Sequence, residues 1–201
     1  MESLLFPHFS EHSQVYIALF RNVSNAAALK SRIVAAATAE GEFGKKEREA
    51  VNFAFIDARL ITSKIHLETA IYQAILAESQ NGLRTRTVHS EVLYNLNPTH
   101  NITEAIRRYG VSETNTDVFV IRIDSPDLDA STVQEKMKEV ISGNIVPISE
   151  LADITDWASI KKYYKLNNEV AIKEAASNPS REREIVDNIV VSSVAMKSVM
   201  G

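Results

Sequence analysis

The chain has 201 residues, 22 Lys+Arg against 26 Asp+Glu for a formal net charge of −4 at pH 7, 45% hydrophobic residues and no cysteine. That length suits one domain over residues 1–201 with a proper core, and the missing cysteine excludes disulfides, thiolate metal ligation and cysteine nucleophiles. The acidic balance argues against a nucleic-acid binder held by overall electrostatics, though a local basic patch can still bind one; no run approaches the ~20 apolar residues of a membrane span, and no secretory leader is visible.

Residues 1–13 read as a loosely packed N-terminal segment. His8, Glu11 and His12 have a metal-binding spacing, but Pro7 and Ser10 break any helix there and a third fixed ligand shell is missing, so a metal is not expected. Val15–Phe20 alternates as a strand with Val15, Ile17 and Leu19 on one side. An alanine-rich helix follows from about Asn25 to Ala39 and stops at Gly41. Residues 41–52, GEFGKKEREAVN, carry two glycines and six charges and read as a solvated loop. Its mixed signs (Lys45, Lys46 and Arg48 among Glu42, Glu47 and Glu49) mark solubility rather than phosphate contact.

Phe53–Ile61 is an apolar run that predicts a strand buried on both faces. Ser63 caps a helix carrying His66, Ala70, Ile71, Ala74 and Ile75 at helical spacing, ended by Asn81-Gly82. Val92–Leu96, bounded by Asn97-Pro98, predicts a second strand. Asn101 heads a short helix that Gly110 closes. Asp117–Asp124 is a strand, broken by Ser125-Pro126; Ser131 and Thr132 cap a helix to Ser142; and Pro147 keeps Ile145–Ile148 at a sheet edge. Asp156 caps a short helix over 157–166, whose tail lysines complement its dipole. Strands and helices in this order predict an α/β (α+β) fold, a mixed β-sheet packed by helices.

The last helix, about 181–200, carries Ile185, Val186, Ile189, Val190, Val191, Val194, Ala195, Met196, Val199 and Met200. These residues cover nearly its whole circumference, and such a helix is buried on more than one side. Two placements satisfy it, a partner surface or full internal burial; a β-rich tail is the remaining alternative.

No catalytic constellation is present. The six glycines form no phosphate-binding loop and there is no nucleophile elbow. Asp57, Glu68 and Glu91 lie near predicted strand ends and could serve acid–base chemistry, but an Asp57–Arg59 hydrogen-bonded pair and a core His66 are the plainer accounts.

The blocks FAFIDARLI, AIYQAI and LRTRTVHSEVLYNLNPTHNITEAIRRYGV resemble the small kinase-binding subunit of the EKC/KEOPS complex, in its fungal form, from about Val15 to the C-terminal helix. The charged 41–52 stretch is longer and more polar than that family pattern. The resemblance implies a non-catalytic subunit, without cofactor or metal, of the assembly that installs threonylcarbamoyl on the adenosine beside the anticodon of ANN-decoding tRNAs. It implies direct contact with the complex's small atypical kinase, largely through helices that include the C-terminal one, and with the transferase subunit through the complex. It also implies tRNA capture, links to telomere maintenance and transcription, and a place in nucleus and cytoplasm.

On these grounds Ile185, Val186, Ile189, Val190 and Val194 are expected at the kinase surface. Arg84, Arg86, Arg107 and Arg108 are candidates for tRNA phosphate, with solvation or a carboxylate partner as the competing account. Two other classes remain: an enzyme using an Asp57–His66–Glu91 pocket, and a free-standing RNA-binding domain.

Overall fold

The computed structural model describes residues 1–9 and 12–199. Its centre is β2 (Gln14–Arg21), whose alternating side chains are buried on both faces. β4 (Val118–Asp124) pairs with it along its length, from Gln14 opposite Asp124 to Phe20 opposite Val118. β3 (Ala54–Asp57) adds to the far side of β4. Along its other side β2 meets β1 (Glu2–Leu5) through Gln14–Ile17 and β5 (Asn144–Val146) through Leu19–Arg21. All these pairings are antiparallel, so the sheet is antiparallel rather than mixed. Of residues 1–13, expected to be loose, Glu2–Leu5 are held as its edge strand.

Both faces of the sheet are covered. Val15, Ile17, Leu19, Ile56, Phe119 and Ile121 point to one layer, built on α3 (Lys64–Ser79), α4 (Val88–Leu96) and α9 (Pro179–Met196). Tyr16, Ala18, Phe20, Phe55, Val118 and Val120 point to the other, on α1 (Ala26–Thr38) and α6 (Ala130–Val140). Fully buried side chains such as Phe20 and Phe119 each contribute about 1.5–3 kcal/mol by leaving water.

Capping side chains start the helices where local chemistry requires. Ser63 accepts from the His66 N–H to open α3, Asn101 from the Glu104 N–H to open α5 (Ile102–Tyr109), and Asp156 from the Ser159 N–H to open α7 (Trp157–Tyr163). The helix expected from Ser131 is α6, and its cap is Asp129, whose carboxylate accepts from Ser131 and Thr132 N–H.

Three expectations are corrected. Residues 41–50 are a helix, α2, not a loop. Its charges have distant partners: Glu47 takes both prongs of Arg32 at 2.8 and 3.1 Å, Arg48 donates to the Ala36 and Ala39 carbonyls that end α1, and Glu49 meets Arg122 at 2.9 Å. The strand expected to Ile61 ends at Asp57, because the Asp57 carboxylate takes the Arg59 N–H at 3.0 Å and turns Ala58–Leu60 into a 3-10 helix. Val92–Leu96 is not a strand but the body of α4. A capping box between Thr87 and Ser90 opens that helix, and it is buried nearly all round, which erases its helical period.

Candidate partner interface

α9 begins at Asn178, whose side chain accepts from the Arg181 N–H, with Pro179 at the first helical position, where its missing N–H costs nothing. Val186, Val190 and Val194 recur every four residues and are buried, forming a stripe against the core beside α3 and α8 (Val170–Ala175). Ile185 and Ile189 are half-buried at its margin. Arg181, Glu184, Asn188 and Ser192 face solvent, so the all-round apolar helix expected from the sequence is corrected: a polar face exists. The apolar surface that remains includes Ile185, Ile189 and Val191, half-buried, and the exposed Ala195, Met196 and Val199. The expected helix reached Met200, which lies outside the described residues.

Lys197, which drew no attention in the sequence, fixes the end of this helix. Its ammonium donates to the Tyr94 carbonyl, to the Asn97 carbonyl at 2.6 Å and to the Thr99 carbonyl at 3.0 Å, and lies 3.8 Å from the Tyr94 ring centroid. The side chain is buried, and burial lowers its pKa from 10.5 to about 8. A lone lysine inside an apolar helical run was its only signal. A tether across about a hundred residues of chain left no other trace.

The four arginines divide into two pairs flanking α4. Arg84 and Arg86 are exposed on the turn before it. The buried Glu91 carboxylate shapes that turn by accepting from Arg84 N–H (3.0 Å), Thr85 N–H (2.8 Å) and the Thr85 hydroxyl (2.6 Å). Arg107 is exposed at the end of α5. Arg108 is engaged: it pairs with Glu104 at 2.7 Å, donates to Asn97 at 3.2 Å and stacks 4.4 Å from the Tyr163 ring. A carboxylate partner therefore accounts for Arg108, while Arg84, Arg86 and Arg107 present guanidinium groups to solvent.

The acid–base candidates are each engaged by separate partners. Asp57 is bound by Arg59 through contacts of 2.7 and 3.0 Å. His66 is fully buried in α3, where Nδ1 accepts from the Thr62 N–H, and burial holds its pKa down at about 3. Glu91 is occupied by the turn, and Glu68 faces Lys64 at 3.6 Å. Both Glu68 and Glu91 lie on helices rather than at strand ends. In the N-terminal segment His8 packs on Phe9 and Tyr72, and His12 pairs with the Glu78 carboxylate; Glu11 lies outside the described residues. Among the described residues no three metal-ligating side chains cluster, and no helix is long and apolar enough to cross a membrane.

Comparison with known proteins agrees along nearly the whole chain. The family profile described as kinase binding protein CGI-121 matches residues 20–198. The chain is 34% identical to the EKC/KEOPS complex subunit cgi121 of Neurospora crassa, covering 99% of each. It is 31% identical to the EKC/KEOPS complex subunit CGI121 of Cryptococcus neoformans, over 96% of this chain and 100% of that one. With the Candida albicans subunit of the same name it shares 31% identity over 86% and 88% of the two chains. A match spanning both faces of the sheet, the α4–α5 block and α9 places the chain in the CGI-121 family of kinase-binding proteins.

Proposed function

We propose that this chain is the non-catalytic, kinase-binding subunit of an EKC/KEOPS complex, and that it supports threonylcarbamoyladenosine formation on tRNA without a reaction centre of its own. The observation that carries this is family membership over nearly the full length. The margin of α9 is the kinase-facing surface. Ile185 and Ile189 reach the partner directly, extended by Met196 and Val199, while Val186, Val190 and Val194 act from beneath by seating the helix. Arg84, Arg86 and Arg107 provide the electrostatic contact with tRNA, each phosphate neutralised adding to the salt dependence of binding. The transferase subunit is reached through the kinase, and the chain follows the complex to nucleus and cytoplasm.

The test is co-expression of the tagged chain with its kinase. Ile189→Glu is expected to remove the kinase from the purified complex and leave a folded protein, because a half-buried site tolerates a carboxylate that can turn to water. Unfolding of the variant would assign Ile189 to the core, and a folded variant that still retains the kinase would move the interface elsewhere.

A further inference from the structure

A cavity of about 480 Å³ opens where β1, the start of α3, the 3-10 helix Ile148–Asp153, α7 and α9 meet. Its floor is apolar, with Ile148, Leu151 and Ala152. Among the polar side chains around it, Arg183 carries the donors left free for a ligand. The Trp157 indole N–H is buried without an acceptor. Arg183 lies 5.6 Å over the Trp157 ring and makes no ion pair among the described residues. The first N–H groups of the 16-residue helix α3 open beside Lys64, as helix N-termini leave them. Thr62, only 8% exposed, lines the cavity, and its hydroxyl has no hydrogen-bond partner. The Arg183 guanidinium over an apolar floor suits a ligand with one carboxylate on an apolar body.

Two observations point to peptide. Lys64 is already neutralised by Glu2 at 2.6 Å and Glu68 at 3.6 Å, so this wall offers no cationic run for a string of phosphates, and Arg183 alone remains, matched to one carboxylate. Glu2 also belongs to β1, the edge of the sheet. Phe6 N–H donates to the Ser13 carbonyl, and continuing that alternation turns the backbone groups of Ser3 and Leu5 away from β2, toward the open edge.

We propose that the cavity and the free edge of β1 together take an extended, largely apolar segment of a partner protein that carries one carboxylate, this carboxylate at Arg183 and a neighbouring large apolar side chain on the Ile148–Leu151 floor. Main-chain bonds along the edge give affinity, and the cavity gives specificity. This site is independent of which protein the margin of α9 meets.

Trp157 is the sole tryptophan, so the indole N–H signal of the ¹⁵N-labelled full chain reports on the site without ambiguity. The probe is acetyl-Val-Asp-Phe-Val-amide. Its titration is expected to shift that signal saturably, with affinity falling about tenfold or more when Asn replaces Asp, when Gly replaces Phe, or in Arg183→Gln. No saturable shift up to about 10 mM peptide, or equal binding of the Asn peptide, overturns the proposal. So does acetate matching the full peptide, which would leave an anion site only, or tighter binding of an RNA trinucleotide, which would make the cavity a nucleic-acid site.

Discussion

Replacing Lys197 by Met removes a buried cation of nearly the same length, and the structure sets the cost. Three carbonyls lose a donor, but two keep another: Tyr94 still accepts from the Asn97 N–H at 3.3 Å, and Thr99 from the Asn97 side-chain amide at 3.2 Å. Only the Asn97 carbonyl is left without a partner among the described residues, and stranding one such group costs about 1–3 kcal/mol. The burial that takes the pKa from 10.5 to about 8 penalises the ammonium by roughly 3 kcal/mol at pH 7, as much as or more than the stranded carbonyl costs, so the Met variant is expected to match the parent or exceed it by up to about 2 kcal/mol there, a melting temperature up to roughly 8 °C higher for a chain of this size, and to lose that margin by pH 10. The pH dependence isolates the cause. With a folded pKa of about 8 against 10.5, the unfolded chain holds a proton that the native chain has released between those values, so this lysine makes stability rise with pH there, by up to about 1.4 kcal/mol per pH unit. Below pH 8 both states are protonated and the contribution is flat. Thermal melts followed by circular dichroism from pH 7 to 10 for both proteins measure both quantities. A Met variant clearly less stable than the parent at pH 7, or with the same pH slope above 8, would refute the reasoning.

Gly44→Ala carries a second expectation. A Cβ at that helical position would fall 2.2 Å from the Ala39 carbonyl oxygen, which is backbone and cannot swing aside. The variant should lose about 1–3 kcal/mol in urea titration although alanine is the better helix former, because α2 must move off the end of α1. The third concerns acid. Burial holds His66 and His89 near pKa 3, against 6.5 when unfolded, so below 6.5 the unfolded chain takes up protons the native one refuses and stability falls. Between pH 7 and 5 the loss should be about 2–4 kcal/mol by denaturant titration; a flat profile would mean that one of these rings is charged or exposed in the fold.

What the sequence made legible was local. Ser63, Asn101 and Asp156 were readable as caps because the bond that makes a cap joins residues two or three apart. Val15, Ile17 and Leu19 were readable as one face of a strand because alternation is a nearest-neighbour property. α2 was hidden because its glycines read as breakers, while the partners of its charges, Arg32, Ala36 and Arg122, stand on other elements. α4 was hidden by being buried on nearly every side. For the interface, the apolar content of α9 was legible, but which of its residues turn to the chain's own core depends on where α3 and α8 lie, and the sequence of 181–200 does not carry that.

The central position of β2 has a consequence for synthesis. Its principal partner, β4, begins at Val118, nearly a hundred residues after β2 ends at Arg21. At about 5–20 residues per second, the ribosome delivers that partner roughly 5–20 s later. Through that interval VYIALF is an apolar, β-prone hexapeptide without charge or proline, with only the short β1 hairpin to cover one side. The nascent chain is therefore exposed to misassociation at residues 15–20 until β4 has been made, past the midpoint of its synthesis.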